Sequence, residues 1–121
     1  MIVLSGEVVH GQARGRKVGM PTANLSIEGL DPSIEYGVYA CIAIVHDQRY
    51  MGVCNIGNRP TVDSKETIEV HILDFDEDIY GENISVELHE YLRPISKFDS
   101  LEAVKNQVDK DIIRTRILLS A

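Results

Sequence analysis

Tyr36-Gly37-Val38-Tyr39-Ala40-Cys41-Ile42-Ala43-Ile44-Val45 is followed by His46-Asp47-Gln48 and then by Arg49-Tyr50-Met51-Gly52-Val53-Cys54-Asn55-Ile56. The first segment is rich in aromatic and β-branched residues, which predicts a strand over Tyr36–Val45. His46-Asp47-Gln48 reads as a hairpin connection, and Arg49–Ile56 as the returning strand. Gly57-Asn58-Arg59-Pro60 ends it. Upstream, Ile2–Val9 reads as another strand, stopping at His10-Gly11. Gly11, Gly15 and Gly19 then punctuate a loop, and Pro21 biases Met20 toward an extended backbone. Downstream, Thr67–Leu73 alternates, with Ile68, Val70 and Ile72 on one face and Glu69, His71 and Leu73 on the other. Asp74–Gly81 is an acidic turn, and Ile84–Leu92 is a further strand.

The pattern changes near the C-terminus. Leu101, Val104, Val108 and Ile112 recur at spacings of three and four, the signature of an amphipathic helix. Asp99 is placed to cap it, with Glu102 completing a capping box. Several strands followed by one helix predict a compact antiparallel barrel or sandwich with a covering helix.

The 121 residues suit a single domain, and 44% apolar with 26% charged composition is that of a globular protein. No apolar run nears the roughly 20 residues of a membrane span, and the start of the chain lacks a signal-peptide pattern. A cytoplasmic location, with no membrane partner, is expected. Cys41 and Cys54 fit neither a redox pair nor a zinc site and are expected as buried free thiols. The net charge of −7 argues against nucleic-acid binding. Residues 1–25 run the other way, with Arg14, Arg16 and Lys17 against Glu7 alone.

That basic, glycine-rich loop is the first place to seek chemistry. Glycines let backbone N–H groups approach phosphate oxygens, and the three cations can neutralise them. Thr22 and Asn24 follow, two apart, so in an extended segment their side chains share a face. A hydroxyl and an amide carbonyl are hard oxygen ligands suited to Mg²⁺ that takes its other ligands from phosphate and water. An ordinary surface loop would show the same glycine spacing. Glu69 is the second candidate, a mid-strand carboxylate able to take a proton from a hydroxyl; a residue on a solvated strand face would look the same. Asp74-Phe75-Asp76-Glu77-Asp78 lacks the spacing of a calcium loop and reads as a solvated turn. In Tyr91-Leu92-Arg93-Pro94-Ile95-Ser96-Lys97-Phe98, an aromatic and two cations could hold a planar polar ligand, or the segment could be a plain connector with Phe98 packed under the helix. No Walker A sequence or protein-kinase signature set is present.

Taken together and in order, these segments resemble the riboflavin kinases. The motifs are Gly6-Glu7-Val8-Val9-His10-Gly11, Gly19-Met20-Pro21-Thr22-Ala23-Asn24 and Asn55-Ile56-Gly57-Asn58-Arg59-Pro60-Thr61. They continue with Glu69-Val70-His71-Ile72-Leu73-Asp74-Phe75, Ile79-Tyr80-Gly81, Leu92-Arg93 and Lys97-Phe98-Asp99-Ser100-Leu101. The Asn55–Thr61 version resembles the bacterial branch, the kinase module of bifunctional riboflavin kinase/FAD synthetases.

The resemblance implies a mainly β protein: a six-stranded antiparallel Greek-key barrel with a C-terminal α-helix. It implies transfer of the ATP γ-phosphate to the 5′-hydroxyl of riboflavin, with Mg²⁺, giving FMN and ADP. It assigns Glu69 as the catalytic base and Thr22 and Asn24 to the metal. It assigns Gly11, Arg16, Thr22, Ile72 and Tyr80 to ATP, and Arg93, Ser96 and Phe98 to the flavin. Ile95-Ser96 stand where such enzymes usually carry an acidic residue before the lysine. Residues 1–121 are expected to form one kinase domain without an FAD-synthetase module, acting as a monomer and not adenylylating FMN. The alternative is a non-catalytic flavin- or nucleotide-binding module on the same barrel, which loss of Glu69 or Asn24 would favour; both are retained.

Overall fold

The computed structural model describes residues 1–9, 22–27, 30–58 and 66–120. Among these residues six strands form: β1 (Ile2–Val9), β2 (Ala23–Ser26), β3 (Gly37–Val45), β4 (Gln48–Asn58), β5 (Glu66–Ile72) and β6 (Asn83–Arg93). The helix α1 (Leu101–Leu119) follows β6. The strands close into an antiparallel barrel in the order β1-β2-β5-β4-β3-β6. β3, β4 and β5 are sequential neighbours and β6 returns beside β3, which is a Greek key. Among the described residues every strand thus has a hydrogen-bonded neighbour on each side.

The β3–β4 hairpin anchors this topology. Val45 pairs with Gln48, so His46 and Asp47 alone make the turn. Both carry positive φ, 49° and 64°, the geometry whose twist matches the flanking strands. Alternation then fills the barrel. Tyr39, Cys41, Ala43 and Val45 of β3 point inward with Cys54, Ile56, Ile68, Val70, Ile84 and Val86 from β4, β5 and β6. The opposite face of β3 is buried too. Val38 and Ala40, with Val53 and Leu92, form an outer apolar layer under Ile112 and Leu119 of α1. A strand buried on both faces reads as an unbroken apolar run, which is why Tyr36–Val45 stood out.

The helix, about 28 Å long at 1.5 Å per residue, is tied to the barrel twice. Arg93 at the end of β6 pairs with Asp111, and Arg116 Nη1 donates to Asp74 Oδ2 at 3.0 Å. Asp74 follows β5 and has φ 57°. No helix among the described residues is long and apolar enough to cross a membrane.

Some expectations shift. The helix is capped by Ser100, whose side chain accepts from the Ala103 N–H at 3.1 Å, and not by Asp99. Glu102 is then in the first turn but out of the capping-box position. Leu101 is 57% exposed, because the buried face of α1 centres on Asp111 and Thr115. Strand ends move by one or two residues: β3 begins at Gly37, β4 runs to Asn58, β5 spans Glu66–Ile72 and β6 Asn83–Arg93. The short β2 was legible only as an extended segment. Cys41 and Cys54 are buried free thiols, as expected. Burial pushes the Cys41 thiol up to about 12 and raises that of Cys54 well above its ordinary value. Neither is a nucleophile at neutral pH.

Candidate active site

Strand register lines up a row of outward-facing residues around the barrel. Val9 pairs with Asn24, Asn24 with Glu69, Glu69 with Asn55, Asn55 with Val38, and Val38 with Arg93. On β5 the inward positions are Ile68, Val70 and Ile72, so Glu69 points outward with His71. On β2 the inward Leu25 leaves Asn24 outward. Directly opposite side chains in adjacent strands lie about 5 Å apart. The sequence-derived base and metal ligand are therefore immediate neighbours, although β2 and β5 come from different parts of the chain. Glu69 and Asn24 are half-buried, and Asn55 is exposed.

Pairing also sorts the remaining residues between the two ends of the barrel. At one end lie Val9, the start of β2, the end of β5 and the start of β6. Thr22, half-buried, precedes β2 there. Ile72 is the last residue of β5, with its side chain in the barrel core. Tyr80, 55% exposed, lies in the β5–β6 connection, its N–H donating to Asp78 Oδ1 at 3.0 Å. The Gly81 N–H donates to Val8 O at 2.8 Å, holding that connection against β1. Gly11 and Arg16 lie outside the described residues, as do Arg14 and Lys17.

At the other end, β6 delivers Arg93 into the connector to α1. Arg93 Nε donates to Asp111 Oδ1 at 3.0 Å and Nη2 to Oδ2 at 2.8 Å. Gln107 Nε2 donates to the same carboxylate at 3.0 Å. The Arg93 guanidinium carbon sits 5.8 Å from the Phe98 ring centroid, within cation–π range. Ser96 is exposed in the same connector. The connector folds back over β4, since a Cβ on Gly57 would lie 2.8 Å from Ile95 Cδ1. Phe98 thus stacks with Arg93 at the surface of this end.

Thr22, Asn24 and Glu69 offer a hydroxyl, an amide carbonyl and a carboxylate. This all-oxygen set fits a hard cation such as Mg²⁺ that draws further ligands from phosphate and water. Among the described residues no three His, Cys, Asp or Glu side chains gather to hold a metal. Burial lowers the His71 pKa, so the imidazole beside Glu69 on this face is neutral at neutral pH.

The sequence reading gave no role to Asn55, Asp111 or Gln107. Asn55 lay within a quoted motif but drew notice only once register set it beside Glu69. Asp111 carried a signal: it falls three residues after Val108, a charge on the apolar side of the helix. Such a charge is buried only with a partner.

Residues 1–119 match the riboflavin kinase family. The RNA-binding riboflavin kinase RibR of Bacillus subtilis is 44% identical over 116 residues, covering 93% of this chain and 49% of that protein. The crystal structure of a macrolide-efflux protein from Streptococcus pneumoniae superposes with a TM-score of 0.87 at 37% identity, covering 94% of this chain and 38% of that one. That of riboflavin kinase from Trypanosoma brucei superposes with a TM-score of 0.71 at 24% identity, over 98% and 79%, a likeness of fold. The chain spans half or less of the length of the first curated relatives it matches.

Proposed function

The chain belongs to the riboflavin kinase family, and from that premise we propose that it transfers the γ-phosphate of ATP to the 5′-hydroxyl of riboflavin, giving FMN and ADP. The observation that carries this reading is the direct pairing of Asn24 with Glu69 on the open outer wall. A phosphate- and metal-facing amide and a proton-accepting carboxylate are what such a transfer needs side by side. Of the residues assigned to ATP, the described ones, Thr22, Ile72 and Tyr80, lie toward one end of the barrel, and those assigned to the flavin lie toward the other, which supports a donor and an acceptor meeting between them.

In this mechanism Glu69 accepts the proton of the ribityl hydroxyl as its oxygen bonds to the γ-phosphorus. The bond from that phosphorus to the bridging oxygen breaks, and ADP leaves with the electron pair. Phosphoryl transfer depends on positioning and charge neutralisation more than on covalent help. Thr22 and Asn24 would hold Mg²⁺, which when bound would neutralise charge on the phosphates. Gly11, Arg16, Ile72 and Tyr80 line the nucleotide. Arg93, Ser96 and Phe98 receive the isoalloxazine, with Arg93 kept in place by Asp111. The reaction runs in the cytoplasm, on a monomer, without nucleic acid.

The test is incubation with riboflavin, ATP and Mg²⁺ followed by chromatographic separation of the flavins. FMN forms only when all three are supplied, and chelation of the metal stops it. Riboflavin that binds yet is never phosphorylated would replace this reading with that of a flavin-binding module.

A further inference from the structure

We propose that Asn55 is a substrate-binding residue that hydrogen-bonds the hydroxyls of the acceptor's polyol chain; this rests on the kinase reading above. The outward face of β4 carries Val53, Asn55 and Gly57 in turn. Val53 is buried in the apolar layer beneath α1. Gly57 is buried too, under the Ile95 side chain of the β6–α1 connector. Asn55 between them is exposed. Its neighbour across β3 is Val38, 2% exposed under the helix layer, and its neighbour across β5 is Glu69. Asn55 is therefore an exposed polar window bordered by the buried Val53, Gly57 and Val38 and by the half-buried Glu69.

The order along the row gives the window its occupant. Reading from β2, the positions are Asn24, Glu69, Asn55, Val38 and Arg93. Phosphate chemistry falls at Asn24 and Glu69, and the planar-ligand residues at Arg93 and Phe98. A group joining the two must cross Asn55. An exposed amide bordered by covered apolar positions fits a slender chain bearing several hydroxyls. The amide both donates and accepts, so it can bond a hydroxyl in either sense. Ile95 borders the window on the connector side. Seated on Gly57, it gives this departure from the usual family pattern a place beside the window.

The experiment compares Asn55→Ala with the unsubstituted protein in two direct binding titrations followed by flavin fluorescence. One uses riboflavin and the other lumiflavin, which has the same ring system with a methyl group in place of the polyol. Loss of about one hydrogen bond weakens riboflavin binding roughly 5- to 10-fold and leaves lumiflavin binding unchanged. In turnover, KM for riboflavin rises by a similar factor and KM for ATP does not move. Asn55→Ser, which keeps a hydroxyl, recovers part of the loss. A riboflavin affinity equal to that of the unsubstituted protein overturns the proposal, and so does an equal loss for both flavins. The titrations need no turnover, so a protein that makes no FMN would sink the kinase reading without obscuring this outcome.

Discussion

The outer wall of the barrel changes character within one row of paired residues. From Asn24 through Glu69 to Asn55 it is open and polar; at Val38 it passes beneath α1 and becomes apolar. From Asn24 to Val38 every side chain in the row points outward, and the β3–β6 pairing is irregular where it meets Val38. What differs is the cover. Under the helix, Val38, Ala40, Val53 and Leu92 contribute by leaving water, and the one charge from the helix, Asp111, is admitted only with Arg93 and Gln107 around it. Outside that cover Asn24 and Glu69 are only half-buried and Asn55 is exposed, so less burial is at stake and residue type is freer to follow chemistry. Substitutions on the open wall should therefore strike turnover and spare stability, and those on the covered wall should do the reverse. Arg93 is where the two regimes meet, bonded to the helix on one side and facing Phe98 on the other.

The sharpest test on the open side is Glu69→Gln. It keeps the shape of the side chain and removes its capacity to take a proton. FMN formation should fall by roughly 10²- to 10⁴-fold, the usual contribution of a general base. The thermal midpoint followed by circular dichroism should stay where it was. A variant that turned over normally would remove Glu69 from the role, and one that melted early would make it a structural residue.

On the covered side Asp111→Ala should break the comparison in the opposite sense. It leaves the Arg93 guanidinium, 20% exposed, facing a helix that no longer offers a carboxylate. Removing one partner of a buried pair costs about 3 kcal/mol, to be read from the urea midpoint. Flavin binding weakens as well, because Arg93 loses the contacts that orient it. Leu92→Ala, which empties part of the apolar layer, should cost about 2 kcal/mol or more without that effect on the flavin. Equal flavin affinities in the two variants would mean that Asp111 does no more than hold the helix.

The same helix face offers a smaller change of opposite sign. Thr115 is fully buried and its hydroxyl finds no hydrogen-bond partner. Thr115→Val replaces an unsatisfied polar atom by a methyl of similar size. Stability should rise by up to about 1 kcal/mol, measured by urea unfolding. A loss would show that the hydroxyl is satisfied in solution.

How much of this could be read beforehand follows from which forces are local. Alternation over Thr67–Leu73 and the run Tyr36–Val45 marked strands because each residue's environment repeats every second position. The helix was legible for the same reason at a longer period. Its start was not, since Asp99 and Ser100 are both good caps and only tertiary packing selects between them. The adjacency of Asn24 and Glu69 is set by the β2–β5 register, a contact some 45 residues apart in sequence, so spacing alone was silent on it. The Asn55 window needed more still: a helix over Val53 and a connector over Gly57. The assignments of Gly11 and Arg16 lie outside the described residues.

A second carboxylate on the exposed part of the wall marks the limit of the rule that open means chemical. Glu87 on β6 accepts from Arg49 Nη2 at 2.7 Å and Nη1 at 3.1 Å, and bonds His89 Nε2 at 3.1 Å. The Arg49 guanidinium first, and His89 after it, hold the Glu87 carboxyl down at about 2. A base that weak is of little use at neutral pH, so this cluster is structural although it faces outward. Its contribution has a definite sign. A carboxyl depressed in the folded state stabilises fully above its unfolded value of about 4.3 and loses that contribution as pH falls from there through about 2. Glu87→Gln should therefore lower the urea midpoint slightly at pH 7, and the difference from the unsubstituted protein should shrink as pH drops through that window. The effect is the smallest of the set, because solvent screens an exposed pair. A gap that stayed constant from pH 7 to below pH 2.5 would show that Glu87 holds the wall by packing and not by charge.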